Sequence, residues 1–140
     1  MENPKALNLL SLARKGGNIQ MGEENVGAAC RAGHARLILV ASDAAENAYN
    51  RAKSFTSAKK MAFIRVPYSK EQLGAAMGRG VCAMAAITDV SLALAFVKAL
   101  DQAEKYATLL LDLDQRVARV KQRRAEEKAH EKNLKNGKKK

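Results

Sequence analysis

The sequence predicts an α/β protein: a three-layer α/β/α sandwich around a four-stranded sheet, with a basic C-terminal helical extension. Two observations carry this. Short apolar runs alternate with segments whose apolar residues recur every three or four positions, and Gly or Pro punctuates many of the joins. Then no Gly or Pro occurs between Asp89 and Asn136, and from Arg116 onward 11 Lys or Arg stand against three acids. Residues 1–100 read as the α/β/α domain and 101–140 as the extension.

The first helix covers residues 4–14. Asn3 can cap it, Pro4 suits its first position, Leu7, Leu10 and Ala13 form its inner stripe, and Leu9 and Leu12 widen that stripe. Gly16-Gly17 breaks it. Asn18 to Met21 is long enough only for a short strand. Gly22 opens a second helix with Glu23 and Glu24 in its first turn, where acids suit the dipole. Val26, Ala29 and Cys30 face a core, and Gly33 stops the helix. Leu37 to Ala41 is a strand apolar on both faces. After a turn at Asp43–Asn47, with Ser42 or Asp43 as cap, a third helix runs to about Ser57 with Ala48, Tyr49, Ala52 and Phe55 inward. Lys59 and Lys60 precede a strand from Met61 to Val66 that Pro67 ends. Ser69 caps a helix carrying Leu73, Ala76 and Met77. Gly78-Arg79-Gly80 is a tight connection, Val81 to Ile87 is the fourth strand, and Thr88 or Asp89 caps the fifth helix.

Apolar residues make up 47% of the 140 positions but aromatics only 4%, so the core must be aliphatic. The net charge of +11 points to a polyanionic partner, most often nucleic acid. Cys30 and Cys82 lie in separate apolar runs and read as reduced core thiols. Two Cys with His34 and His130 lack metal-ligand spacing, and no cofactor motif is present. No apolar run approaches the ~18 residues of a membrane span, and no signal segment is recognisable. The expectation is a cytoplasmic protein with no membrane association. Catalysis finds no support: Glu23 and Glu24 are adjacent and point apart, Ser42-Asp43 has no nearby His, and the glycine spacings are not those of a phosphate loop.

Four motifs carry a family resemblance: Met21-Gly22-Glu23-Glu24-Asn25-Val26, Ala41-Ser42-Asp43-Ala44-Ala45-Glu46-Asn47, Leu73-Gly74 and Ala86-Ile87-Thr88-Asp89. In this order and spacing they resemble the bacterial YlxQ-type branch of the kink-turn-binding ribosomal protein family (L-seven-Ae and L-thirty-e), over residues 3 to 100. The resemblance implies a mixed sheet, no enzymatic activity, and RNA as partner, ribosomal or otherwise structured. It implies RNA contacts from two loops: Gly22, Glu23, Glu24 and Asn25 at a helix start, and Arg79, Gly80 and Val81, with Val81 an apolar lid on an unstacked base. Arg14, Lys15 and Arg31 would neutralise flanking phosphates. The best-studied kink-turn binders have Asn then Glu in the first loop and a Lys three residues on; here those positions are Glu24, Asn25 and Ala28.

The tail carries a heptad seam: Leu92, Phe96, Ala99, Ala103, Tyr106, Leu110, Leu113, Val117 and Val120. The fifth helix is expected to continue, with a break near Asp101 allowed, into a helical stretch reaching about Glu131. Lys138–Lys140 read as disordered. Arg116, Arg119, Lys121, Arg123, Arg124 and Lys128 are candidate phosphate contacts. The competing function is a protein–protein adaptor that uses the seam, with incidental basic charge.

Overall fold

The structure, a computed structural model, describes residues 4–57 and 61–137. The expected cap Asn3, the lysines 59 and 60, and Lys138–Lys140 lie outside them. The elements in chain order are α1 (Pro4–Lys15), β1 (Ile19–Met21), α2 (Glu23–Arg31), β2 (Leu37–Val40), α3 (Glu46–Ser57), β3 (Ala62–Arg65), α4 (Lys70–Ala76), β4 (Met84–Ile87), α5 (Val90–Ala99) and α6 (Ala107–Gly137).

The sheet is mixed, in the order β1-β4-β2-β3. β4 pairs antiparallel with both β1 and β2, and β2 pairs parallel with β3. Alternate strand residues face opposite cores. Leu37, Leu39, Ala85, Ile87, Ile19 and Met21 join α1, α4, α5 and the first half of α6. Ile38, Val40, Met84 and Ala86 join α2 and α3 on the other face. That is the three-layer arrangement, and it explains why β2 and β4 are apolar at every position.

Local chemistry sets the helix starts. Ser69 and Gln72 form a reciprocal capping box on α4, with Gln72 N–H donating to Ser69 Oγ at 3.1 Å and Ser69 N–H donating to Gln72 Oε1 at 2.8 Å. Asp89 caps α5, accepting from Leu92 N–H at 2.9 Å. Asp43, expected as a cap for the third helix, instead accepts from Lys70 N–H at 2.8 Å at the start of α4.

Val81, Leu12 and Ala103 depart from expectation. Val81 lies outside the fourth strand, which begins at Met84. Leu12 lies 57% exposed, turned off the buried stripe of α1. The seam breaks near Asp101, as the sequence allowed: α5 ends at Ala99, Asp101 takes a left-handed φ of 56°, and α6 begins at Ala107. Asp tolerates that conformation better than most side chains. α6 then folds back antiparallel on α5, tied by the exposed pair Lys98–Asp114 at 3.9 Å. Both halves of the seam are thereby used within the chain: Phe96 and Ala99 from α5 and Tyr106, Leu113 and Val117 from α6 are buried in one core. Ala103 falls in the connection and is exposed. Beyond Val120 every α6 residue through Lys132 is exposed.

Candidate nucleic-acid interface

Two loops meet at the end of the sheet where β1 finishes and β4 begins. Gly22 forms the first: its N–H donates to Met84 O at 2.9 Å, which pins the turn to β4. Its φ of 90° and ψ of 152° lie in a region essentially restricted to glycine. Its carbonyl accepts from Val26 N–H at 2.9 Å to start α2. The N–H groups of Glu23, Glu24 and Asn25 precede that first helical bond, so they form the donor-rich end of the helix.

The second loop is held against α4. Gly74 lies buried in α4, and a Cβ there would stand 2.8 Å from Gly80 O and 2.9 Å from Arg79 O. Arg79 N–H donates to Gly74 O at 2.7 Å. This contact delivers the Arg79 guanidinium to the first loop, 3.9 Å from where a Cβ on Gly22 would be. Val81 follows, 61% exposed, one of three large apolar side chains left in solvent among the described residues. Buried Cys82 lies beneath both loops. Its thiol donates to Met84 O at 3.2 Å. Burial pushes this thiol above the ordinary cysteine value, against the opposing influence of Met84, Arg79 and Gly22.

The predicted site residues are therefore sorted. Gly22, Glu23, Glu24, Asn25, Arg79, Gly80 and Val81 come together. Glu23 turns toward α3 and pairs with Arg51 at 3.3 Å, while Glu24 is exposed. The Asn25 side-chain amide donates to Met21 O at 2.9 Å, bracing the turn. Arg14 and Lys15 close α1 before β1, at the opposite end of the sheet. Arg31 lies on the α3 flank of α2, its guanidinium 3.2 Å from a Cβ placed on Gly27.

Of the six tail cations, Arg116, Arg119 and Arg123 share a stripe that lines a hollow against the body. Lys121, Arg124 and Lys128 lie on another face, with Glu127 and Glu131 among them. Sequence reasoning missed an open groove of about 540 Å³ between α2 and β1, lined in part by Gln20, Asn25, Ala28, His34, Arg36 and Thr88. The alanines on that flank of α2 leave the groove open. The signal available was Arg36, a charge placed directly before an all-apolar strand. Among the described residues no group of three metal-ligating side chains is gathered, and no helix is long and apolar enough to cross a membrane.

The arrangement defines a small α/β domain that presents paired loops beside a helix start. The chain belongs to the ribosomal protein L7Ae/L30e/S12e/Gadd45 family, whose model matches residues 5–97. Its fold is shared with a Bacillus halodurans protein of unknown function, at a TM-score of 0.65 and 23% identity over 70% of this chain and 98% of that one. It is shared also with a Giardia lamblia 15.5 kD RNA-binding protein, at a TM-score of 0.58 and 20% identity over 73% of this chain and 87% of that one.

Proposed function

We propose that this protein binds structured RNA, reading a distorted or kinked segment with the two loops and holding flanking phosphates with its basic surface. The observation that carries this is the meeting of the Arg79–Val81 loop with the donor-rich start of α2. Backbone N–H groups and Arg79 suit base edges and phosphate, and exposed Val81 suits the face of an unstacked base. Membership of the family supports the reading, as does the shared fold with an RNA-binding protein. The finer reading is a kink-turn-like or ribosomal RNA target, a place in translation in the cytoplasm, and a binding rather than catalytic role. Glu23-Glu24 is the pattern of the YlxQ-type branch. The adaptor alternative has less to stand on, because the seam through Val120 packs within the chain.

The test is titration of a hairpin carrying tandem G·A pairs at a bulge, against a fully paired hairpin of the same length. Arg79→Ala should weaken binding to the kinked RNA about tenfold, the scale of one hydrogen bond from a charged group. Val81→Ala should weaken it less and reduce the preference for the kinked RNA. Unchanged affinity in both variants would place the RNA surface elsewhere.

A further inference from the structure

The opposite end of the sheet holds a second charged feature. Arg36 leads into β2, and its backbone N–H donates to Ile87 O at 2.8 Å, which fixes it at the finish of β4. Its guanidinium donates to Gly33 O at 2.9 Å. The return of α6 along α5 brings Arg116, Arg119 and Arg123 to the same place. With Val90 and Val120, these four arginines line one hollow of about 160 Å³. Two carboxylates stand near it. Asp112 is bonded to Arg116 at 2.9 Å, and Asp89, next to Val90, caps α5. Two acids beside four guanidiniums leave the hollow net positive, and guanidiniums match phosphate oxygens in geometry as well as charge.

The hollow also has an approach. Arg36 lines both it and the groove that begins at Asn25 beside the first loop. Four-residue strands at about 3.3 Å per residue separate the two ends of the sheet by about 13 Å. A stacked RNA strand covers that distance in a few nucleotides.

We infer that Arg36, Arg116, Arg119 and Arg123 form a second anion site, which grips the sugar-phosphate backbone of the stem flanking the segment read by the loops. This rests on the RNA-binding reading above and extends it: the groove leads the strand from one end of the sheet to the other. Guanidiniums that contact phosphate do so irrespective of sequence, so the site adds affinity and register but no base preference.

The experiment uses the full chain and the tandem G·A hairpin with a long and a shortened stem, titrated at several salt concentrations. Arg119→Gln with Arg123→Gln leaves the Arg116–Asp112 pair and the Arg36–Gly33 bond in place. On the long stem this double variant should lose about tenfold in affinity. Its plot of log affinity against log salt should flatten by roughly 0.7 to 0.9 per lost contact. Arg36→Gln should flatten the same plot, and Arg36→Lys, which keeps the charge, should restore it. On the shortened stem all variants should match the natural protein. Flattening by the double variant but not by Arg36→Gln would confine the contact to the tail and overturn the shared site. No flattening by either would overturn it outright. If the natural protein itself shows no preference for the kinked hairpin, the RNA-structure reading fails first and takes this one with it.

Discussion

Gly74 has no room for a side chain because the Arg79–Gly80 backbone occupies the space. Gly74→Ala would gain helix propensity of about 1 kcal/mol, but the added methyl must displace backbone, and overpacking of that kind costs about 1–3 kcal/mol. The expected outcome is a lower melting temperature together with weaker binding to kinked RNA, since the same displacement moves Arg79 away from Gly22. Thermal melting and RNA titration of the one variant check it, and a raised melting temperature with unchanged affinity would contradict it. Residues that act locally are legible in the sequence: Ser69 and Asp89 cap the helices they precede, and Gly22 opens α2. Residues whose partners are distant are not. Asp43 bonds to a backbone N–H 27 positions away. Arg36 meets α6 only because β2 lies inside the sheet and α6 returns along α5.

The seam of α5 and α6 shows why periodicity at the element scale names a buried face but not its partner. A spacing of three and four is equally consistent with a coiled-coil partner, one long helix, or a helical hairpin closed on itself. The left-handed turn at Asp101 decides for the hairpin, and a lone Asp without Gly or Pro is a weak turn signal in sequence. Tyr106, Leu113 and Val117 are consequently part of the core that also holds Phe96 and Val97. Burial of Leu113 and Val117 contributes about 1.5–3 kcal/mol each, a large share of the stability of a small domain, while the gain from the Tyr106 ring is offset by its buried hydroxyl, which has no hydrogen-bond partner among the described residues. From this packing we propose that the independently folding unit extends to about Val120, where the sequence reading divides the chain at residue 100. A chain ending at Leu100 should melt far below the full chain or show no cooperative transition, whereas one ending at Arg124 should melt close to it. Equal melting of the two shorter chains would support the division at residue 100 instead.

At the scale of the whole molecule, the residues from Arg116 onward carry +8 of the net +11. α6 extends 17 residues past Val120, about 25 Å at 1.5 Å per residue. The chain ending at Arg124 keeps the four arginines of the hollow and loses Lys128 and the later lysines. It should bind kinked and unkinked RNA more weakly by similar factors, with a shallower salt dependence and the same preference between them. Titrating both hairpins across salt concentrations checks this, and a lost preference would mean that the far end of α6, not the loops, distinguishes the RNAs. The return of α6 also has a consequence in time. Arg36 and Arg119 are 83 positions apart in the chain, and translation adds about 5–20 residues per second. During synthesis the residues of both loops are made before any α6 arginine exists. The four-arginine hollow cannot form until α6 is made, and the core that steadies the loops is completed by the same helix, so a nascent chain gains a firm loop platform and its grip on the stem in one late folding step.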